Sequence, residues 1–449
     1  MEINQKIFKA YDIRGVVPDE INSAVMEAIA RAFAAFLCEQ YNTEQPKVIL
    51  SRDVRISSPE LADAAKRGLV AGGAMVTDSG ITTTPMFYWI AGREGADGGF
   101  MVTASHNPPE YNGAKCVGRS VYPFARENCF GRLQELMENP VSGRKPGSVS
   151  AKDFLDEYVE FLAGGYAFRP VTLAIDASNG ATSVVLPKLM ARFPELRIVP
   201  LFWEPDGRFP NHPPDPITES TNAALKEAVT KSSADFGVIF DGDGDRIFFV
   251  DAGAKRVPAS AIGALLAEEI TKEHAGATVL YSVPTSRIFK ETVEAAGGRA
   301  LPCRTGHYFI KLLMRKEKAR FACEHSGHYY FEETFSTDNS MKVLLMVLDL
   351  MTKSGKSLSE LAEPFERYIQ LGEKNFSVRD WAGLEEALRA HYREGTIDTT
   401  DGITIDFPDW RFNVRSSNTE PLVRLNAEAR DAVTLGLKVE ELSNLIRNA

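Results

Sequence analysis

Cysteine is scarce in this chain of 449 residues, and the positions of its cysteines argue against a fold stabilised by disulfides or by zinc. The five cysteines, Cys38, Cys116, Cys129, Cys303 and Cys323, include no C-x-x-C pair. A sparse, odd-numbered set in a large chain is typical of reduced thiols, and not of a disulfide framework or a zinc site. We therefore predict a cytoplasmic protein without disulfides.

The sequence also lacks a long apolar segment and an excess of positive charge. Its apolar runs, such as Val343–Leu348, are far shorter than the roughly 20 residues of a membrane-spanning helix. Met1–Gln5 has neither the basic nor the apolar stretch of a secretory signal. Lys and Arg number 51 against 61 Asp and Glu, a net charge of −10, which disfavours binding to a nucleic-acid backbone. We expect no membrane and no nucleic acid among its partners.

The composition is that of a folded protein, with 44% apolar and 25% charged residues, and the length suits three or four domains. Apolar, β-rich runs alternate with helical patterns. Lys47–Ser51 precedes a helical pattern at Ser58–Leu69, and Thr278–Ser282 precedes another at Arg287–Ala296. This alternation predicts α/β units around mostly parallel sheets.

Breaks in the pattern divide the chain. Asn139–Ser150 is rich in Pro, Gly and Ser, so we predict a linker there, followed by a helix at Ala151–Leu162. Further breaks near 251–260 and 372–379 complete a division into domains over 1–145, 146–251, 252–370 and 371–449. The last domain is predicted to be α+β, with strands and a closing helix at Gly402–Phe407, Trp410–Val414, Leu422–Ala427 and Asp431–Arg447.

An acidic loop, Asp241–Arg246, directly follows the apolar run Phe236–Phe240. Three aspartates alternate with glycines, so the backbone can coil until the carboxylates converge on one hard cation. An EF-hand is excluded, because its sixth position would be Arg246 and its twelfth Ala252. The loop suits Mg²⁺ that shares an oxygen with a phosphate, with Arg246 as a donor to that phosphate. The alternative is a solvated acidic turn.

A second loop, Thr103–Pro108, follows the strand pattern Gly98–Val102. Ser105 lies at the predicted strand end beside His106, with Lys115 ten residues further on. This arrangement is compatible with an active nucleophile. By itself it is equally typical of an ordinary polar turn.

Two further loops carry groups suited to a sugar phosphate. In Cys323–His328, after a strand pattern at Arg320–Ala322, Glu324 and Ser326 lie two apart and could bind vicinal hydroxyls. The two histidines of this loop lack a nearby third ligand, which disfavours a metal site. Arg415–Pro421 offers a guanidinium, hydroxyls, an amide and backbone N–H groups to a phosphate, or is simply a hydrophilic hairpin.

Together the four loops resemble those of the α-D-phosphohexomutase family, in the same order and over essentially the whole chain. Lys9–Gly15 and Arg304–His307 extend the resemblance. It implies an α/β fold of four domains around a central cleft. Three would be related α/β domains with mixed or parallel sheets, and the smaller C-terminal domain would be α+β.

The resemblance also implies roles for individual residues. Ser105 would carry a phosphoryl group, and one oxygen of that group would join Asp241, Asp243 and Asp245 in holding Mg²⁺. The other catalytic residues would be Arg14, Lys115, Arg246 and His307, with the choice of general acid–base left open between Arg14, Lys115 and His307. The substrate-binding residues would be Tyr11, Thr305, Gly306, Glu324, Ser326, His328, Arg415, Ser417, Asn418 and Thr419.

The implied reaction interconverts a hexose 1-phosphate and a hexose 6-phosphate through a bound hexose 1,6-bisphosphate, which is also the activator. Ser417–Pro421 and Phe407–Asn413 favour the phosphomannomutase/phosphoglucomutase branch. Pro284 and Cys323 depart from residues usual in the family. One alternative is a phosphoglucosamine mutase. The other is a non-catalytic sugar-phosphate-binding protein, and only this second alternative is disfavoured by the intact Ser105 and acidic loop. The partners are small sugar phosphates, and the chain is expected to be a monomer or homodimer.

Overall fold

The computed structural model describes residues 4–141, 143–416 and 422–448. The described residues up to Val257 form one compact unit together with Ser326–Ser359. Pro258–His325 and the described residues from Glu360 onwards form a second unit. None of the described helices combines the length and the apolar character needed to cross a membrane.

A mixed sheet of strands β1 to β6 begins the first unit. Its order is β1-β5-β4-β2-β3-β6, with β1 and β5 antiparallel to their neighbours and the other strands parallel. Helix α1 packs apolar side chains at helical spacing into its core, and Phe33 lies with its ring centroid 5.6 Å from that of Phe100. The elements are β1 Ile13–Val16, α1 Ser23–Tyr41, β2 Lys47–Arg52, α2 Ser58–Ala71, β3 Met75–Ile81, α3 Thr84–Arg93, β4 Gly98–Val102, β5 Tyr111–Gly118, α4 Gly131–Glu138 and β6 Ser148–Ala151.

The predicted linker at Asn139–Ser150 is partly wrong. Its last residues begin β6, which pairs in parallel with β3, and the next helix begins at Leu155 instead of Ala151. All four side chains of β6 are exposed. Because none of its side chains is buried, the strand is defined by its pairing with β3 and not by a buried apolar face that the sequence could reveal.

A second sheet of the first unit has the order β11-β10-β9-β7-β8. Strands β8, β7 and β9 are parallel, whereas β10 and β11 run antiparallel to their neighbours. Its elements are α5 Leu155–Ala163, β7 Val171–Asp176, α6 Thr182–Met190, β8 Leu196–Leu201, α7 Ala223–Ser232, β9 Phe236–Phe240, β10 Ile247–Asp251 and β11 Arg256–Val257.

The second unit begins with the parallel strands β13, β12 and β14, in that spatial order. Its elements are α8 Ala259–Glu273, β12 Thr278–Ser282, α9 Arg287–Ala295, β13 Arg299–Cys303, α10 His307–Glu317 and β14 Phe321–Cys323. The chain then contributes to the first unit an antiparallel pair and a helix: β15 Tyr329–Phe331, β16 Thr337–Asp338 and α11 Ser340–Ser354. A short helix α12, Leu358–Ala362, follows.

The C-terminal part of the second unit is an antiparallel sheet with two helices. Its order is β17-β22-β21-β20-β19, and β18 also pairs with β22. The three strands and the closing helix predicted here correspond to β20, β21, β22 and α14, whereas the remaining elements were not predicted. The elements are β17 Ile369–Gln370, β18 Lys374–Phe376, α13 Trp381–His391, β19 Thr396–Asp398, β20 Ile403–Asp406, β21 Trp410–Ser416, β22 Val423–Ala429 and α14 Ala432–Arg447.

Candidate active site

The predicted serine and the acidic loop meet in the first unit. Ser105 follows β4, and Asp241 follows β9 directly, so both lie at the carboxyl ends of parallel strands, where ligands of α/β sheets bind. The Ser105 Oγ donates to Asp241 Oδ2 over 3.2 Å and lies 3.3 Å from His106 Nδ1. The structure therefore places the Ser105 hydroxyl against a carboxylate of the acidic loop.

Ser105 is held in a conformation that serine rarely adopts. Its φ is +53°, in the left-handed region, and its side chain is only 2% exposed. Its backbone N–H donates to Thr103 Oγ1 over 2.9 Å. Non-glycine residues in this region persist only where their surroundings fix them, and they are frequent at active sites.

The acidic loop brings its three carboxylates together. Asp241, Asp243 and Asp245 are buried, and one oxygen of each lies within 4.8 Å of the others. Gly244 makes this turn possible with a φ of +74°. Asp241 Oδ1 accepts backbone N–H groups from Asp245 at 3.0 Å and Arg246 at 3.1 Å. Thr84 Oγ1 donates to Asp243 Oδ2 over 2.6 Å, a contact that the sequence did not reveal.

The electrostatics of this cluster suit a metal cation. Burial, and then the charges of Asp245 and Asp243, raise the pKa of Asp241 well above its usual range. Burial alone would also raise the pKa of Asp245, but the charge of Lys115 and the interaction with His328 hold that pKa well below its usual range. Asp243 Oδ1 is buried and has no hydrogen-bond partner among the described residues. Hard oxygen ligands with one unpaired acceptor fit a divalent cation.

Lys115 lies against two of these carboxylates. Its Nζ is 2.8 Å from Asp243 Oδ2 and 2.6 Å from Asp245 Oδ2. Burial disfavours the ammonium, but Asp243 and then Asp245 outweigh it and raise the pKa of Lys115 well above its usual value. A buried charge of this kind is positioned to offset negative charge beside Ser105.

Arg246 and His328 extend the cluster. Arg246 Nε lies 3.4 Å from His328 Nε2, and its Nη1 lies 3.5 Å from Asp215 Oδ1. His328 Nε2 is also 3.2 Å from Asp245 Oδ1, while its Nδ1 is 3.0 Å from Ser326 Oγ. The structure thus brings two of the predicted substrate residues, Ser326 and His328, to the acidic loop, and it adds Asp215, which the sequence analysis missed.

Arg14 and Tyr11 lie at the start of the same unit. Arg14 Nη1 donates to Asn107 Oδ1 over 2.6 Å, in the serine loop, and Nη2 is 2.7 Å from Asp12 Oδ2. Burial alone would lower the pKa of Arg14, but the charge of Asp12 and other acidic neighbours raises it. Tyr11 is partly buried, just before β1. Arg14 therefore contacts the loop that carries Ser105.

The remaining predicted residues belong to the second unit. Gly306, with a φ of +123°, donates its backbone N–H to Glu324 Oε1 over 3.1 Å, and His307 begins α10. The Thr305 N–H donates to Asp401 Oδ2 over 2.9 Å. These contacts join the predicted sugar-binding Glu324 to the predicted segment 305–307.

Arg415 is buried at the end of β21 with charged neighbours. It lies directly opposite Arg424 of β22. Glu373 lies between the two, with Oε2 3.4 Å from Arg415 Nη2 and Oε1 2.9 Å from Arg424 Nη1. The sequence analysis missed Glu373, Asp401 and Arg424, although an arginine on each side of one hairpin was a usable signal. The predicted residues Ser417, Asn418 and Thr419 lie outside the described residues.

Comparisons with known proteins match nearly the whole chain. Models of the three α/β/α domains (I, II and III) of phosphoglucomutase/phosphomannomutase match residues 5–131, 156–254 and 258–368, and its C-terminal domain matches 373–444. A protein of Xanthomonas campestris pv. campestris (strain B100) named "Phosphohexose mutases" is 38% identical over 98% of this chain and 99% of its own. The "Phosphomannomutase" of Escherichia coli (strain K12) is 37% identical over 95% and 96%. The crystal structure of a phosphoglucomutase/phosphomannomutase family protein from Burkholderia thailandensis is similar, with a TM-score of 0.92 and 31% sequence identity. The match covers 100% of this chain and 98% of that protein's chain.

These matches show that the chain is an enzyme with hexose phosphate mutase activity. They confirm the predicted α/β class with four domains, three of them α/β and one C-terminal. The chain belongs to the phosphoglucomutase/phosphomannomutase family.

Proposed function

We propose that the chain interconverts hexose 1-phosphate and hexose 6-phosphate, with mannose and glucose as its sugars, through a phosphoryl group on Ser105. The observation that carries the proposal is the 3.2 Å contact between Ser105 Oγ and Asp241 of the buried acidic loop. A hydroxyl beside a carboxylate cluster that can hold a divalent cation suits phosphoryl transfer, because the cation would offset charge on the transferring group. The names of the relatives, phosphomannomutase among them, support the choice of sugar.

The reaction exchanges two phosphoryl groups. The bond between Ser105 Oγ and phosphorus breaks as the 6-hydroxyl of a hexose 1-phosphate attacks phosphorus; that hydroxyl loses its proton, and Ser105 Oγ gains one. Ser105 Oγ then loses its proton as it takes the phosphoryl group from C1 of the hexose 1,6-bisphosphate, and O1 gains a proton in the resulting hexose 6-phosphate. We assign the proton transfers to one of Arg14, Lys115 and His307.

Asp241, Asp243 and Asp245 would hold the metal, which we propose to be Mg²⁺ with an oxygen of the phosphoryl group on Ser105 as a further ligand. When bound, Mg²⁺ offsets charge on the transferring group and helps to orient it. The guanidinium of Arg246, close to the loop, supplies further positive charge to the same group.

Recognition of the sugar and of its non-reacting phosphate is assigned to other residues. Glu324 and Ser326 would bind hydroxyls, and Arg415 would bind the phosphate. Arg415 and Arg424 lie directly opposite each other on β21 and β22, and two guanidinium groups on neighbouring strands support a binding site for a dianion. The other proposed substrate contacts are Tyr11, Thr305, Gly306, His328, Ser417, Asn418 and Thr419.

We propose further properties on the same basis. Hexose 1,6-bisphosphate would be the activator, the ligands would be small sugar phosphates, and the enzyme would be cytoplasmic. The four domains would span 1–145, 146–251, 252–370 and 371–449.

A coupled assay with the 1-phosphates of glucose, mannose and glucosamine tests the proposal. Turnover of the mannose and glucose compounds, dependent on added Mg²⁺ and stimulated by hexose 1,6-bisphosphate, is the expected result. A preference for the glucosamine compound would assign the chain to phosphoglucosamine mutases instead. Binding of all three without turnover would identify a non-catalytic binding protein.

A further inference from the structure

Arg55 is a wholly buried arginine between β2 and α2, and it was not among the predicted site residues. Its side chain is 0% exposed. The guanidinium has five N–H donors, and each has an acceptor in the structure. Nε donates to Asp53 Oδ2 over 3.1 Å, and the other four donors reach main-chain carbonyls.

All four carbonyls belong to one short stretch of chain, the segment that carries Ser105. Nη2 donates to the carbonyls of Ser105 at 2.7 Å and Asn107 at 2.6 Å. Nη1 donates to those of Pro108 at 2.6 Å and Tyr111 at 3.0 Å. A planar, rigid fork that binds four carbonyls of one segment fixes the path of that segment.

A second connection leads from Arg55 to the backbone N–H of Ser105. Asp53 accepts from Arg55 Nε through Oδ2, and the same oxygen accepts from Thr103 Oγ1 over 2.7 Å. Thr103 Oγ1 in turn accepts from the Ser105 N–H over 2.9 Å. Both peptide groups that flank the Ser105 Cα are therefore tied to the Arg55–Asp53 pair, which accounts for the unfavourable φ of +53°.

We propose that Arg55 is the positioning residue for Ser105, and that it holds the serine loop so that Oγ is aimed at the acidic loop. The inference rests on the proposed function, in which Ser105 carries the phosphoryl group. A general role in core stability would not require every carbonyl acceptor to lie in the single segment 105–111, which begins at the serine itself. Misplacement of a reacting group by about 1 Å can slow a reaction roughly a hundredfold.

The test measures phosphorylation of Ser105 directly. Dephosphorylated wild type and Arg55→Lys are mixed with excess glucose 1,6-bisphosphate and Mg²⁺, and phosphate on the Ser105 peptide is followed by mass spectrometry over a single turnover. Lysine keeps the charge but cannot reach four carbonyls. We expect the maximal rate constant to fall about tenfold to a hundredfold, with the half-saturating bisphosphate concentration within about twofold of wild type.

Arg169→Lys is the matched control. Arg169 also donates to two main-chain carbonyls, those of Met351 and Lys356, but outside the serine loop. Both variants are expected to lower Tm, and only Arg55→Lys is expected to slow phosphorylation. Equal rates in wild type and folded Arg55→Lys would overturn the inference. Absence of phosphate from Ser105 in wild type would instead overturn the proposed function.

If Arg55→Lys fails to fold, Thr103 offers a second test of the same connection. Thr103→Ser keeps the hydroxyl between Asp53 and the Ser105 N–H, whereas Thr103→Val removes it in a side chain of similar shape. We expect slow phosphorylation in Thr103→Val and a near-normal rate in Thr103→Ser. Identical rates in the two variants would contradict the positioning role.

Discussion

At the scale of single residues, the distinctive feature of the site is a group of buried charged side chains: the three aspartates of the acidic loop and Lys115. Three carboxylates lie close together beside Lys115, and no protein group in the described part of the chain donates a hydrogen bond to Asp243 Oδ1. An unpaired acceptor of this kind is costly in a buried site. A bound cation would remove that cost, which makes metal binding and stability interdependent here.

The first prediction concerns Asp243. In Asp243→Asn a charged oxygen ligand becomes a neutral amide, so affinity for Mg²⁺ should fall at least about tenfold, by titration calorimetry. Asp63→Asn changes an exposed aspartate, with 67% of its side chain accessible, and should leave the affinity unchanged. Equal affinities of wild type and Asp243→Asn would show that the acidic loop has only a structural role.

The motif residues of this site could be predicted from sequence, and their supporting residues could not. The loops of Ser105 and Asp241 carry their chemistry in consecutive residues. Arg55, in contrast, acts on a loop 50 positions away, and nothing in its local sequence shows which carbonyls it will reach. Glu373 likewise acquires a role only when folding brings it to Arg415 and Arg424.

At the scale of elements, a hydrogen bond and an ion pair connect the segment between β8 and α7 to the acidic loop. The Gly242 N–H donates to the Pro214 carbonyl over 3.3 Å, and Asp215 contacts Arg246. His212 connects the same segment to β7, because its Nε2 lies 3.1 Å from Oδ2 of Asp176, the last residue of that strand. Burial opposes protonation, but the hydrogen bond and charge of Asp176 prevail and raise the pKa of His212 above 6.5.

This shift predicts a pH dependence of stability. A raised pKa in the folded state means that His212 contributes stability fully below about pH 6.5, the ordinary value for histidine, and that this stability is lost as pH rises through the folded pKa. The Tm difference between wild type and His212→Gln, measured from about pH 5.5 to 8.5, should therefore shrink as pH rises. A difference that is constant or grows with pH would show that the His212–Asp176 pair is not charged as inferred.

Strands were predicted well where both of their faces are buried. β4, β9 and β12 have the predicted bounds, because continuous apolar runs identify them. β6 was missed because its side chains are all exposed. The short strands β17 and β19 consist largely of exposed or partly exposed residues and were missed for the same reason.

At the scale of the whole molecule, a protein with a net charge of −10 is proposed to bind an anionic substrate. Binding must then depend on local cations such as Arg415 and Arg424, and not on the overall field. Breaks in the sequence pattern predicted the division into four domains, whereas the family could be inferred only from the motifs, because the composition and periodicity are those of any α/β protein. The preferred sugar depends on small differences within one family and could not be derived from the fold.

Specificity follows from which hydroxyls are bound. If Glu324 and Ser326 hold the 3- and 4-hydroxyls, glucose and mannose 1-phosphates, which differ at C2, should have kcat/KM values within about a hundredfold, or roughly 2.7 kcal/mol. Galactose 1-phosphate, which differs at C4, would leave a buried group unpaired and lose roughly tenfold to a hundredfold or more. Glu324→Ala should depress both good substrates together. Efficient use of galactose 1-phosphate, or loss confined to one C2 epimer, would refute this role.

The central claim is that Ser105 carries the phosphoryl group, and one measurement tests it most directly. Active enzyme is digested, its phosphate is mapped by mass spectrometry, and turnover is compared between wild type and Ser105→Ala. We predict one phosphate, on the peptide that contains Ser105, and loss of nearly all turnover in a folded Ser105→Ala enzyme. Phosphate on another residue, together with near-full activity of Ser105→Ala, would contradict the account.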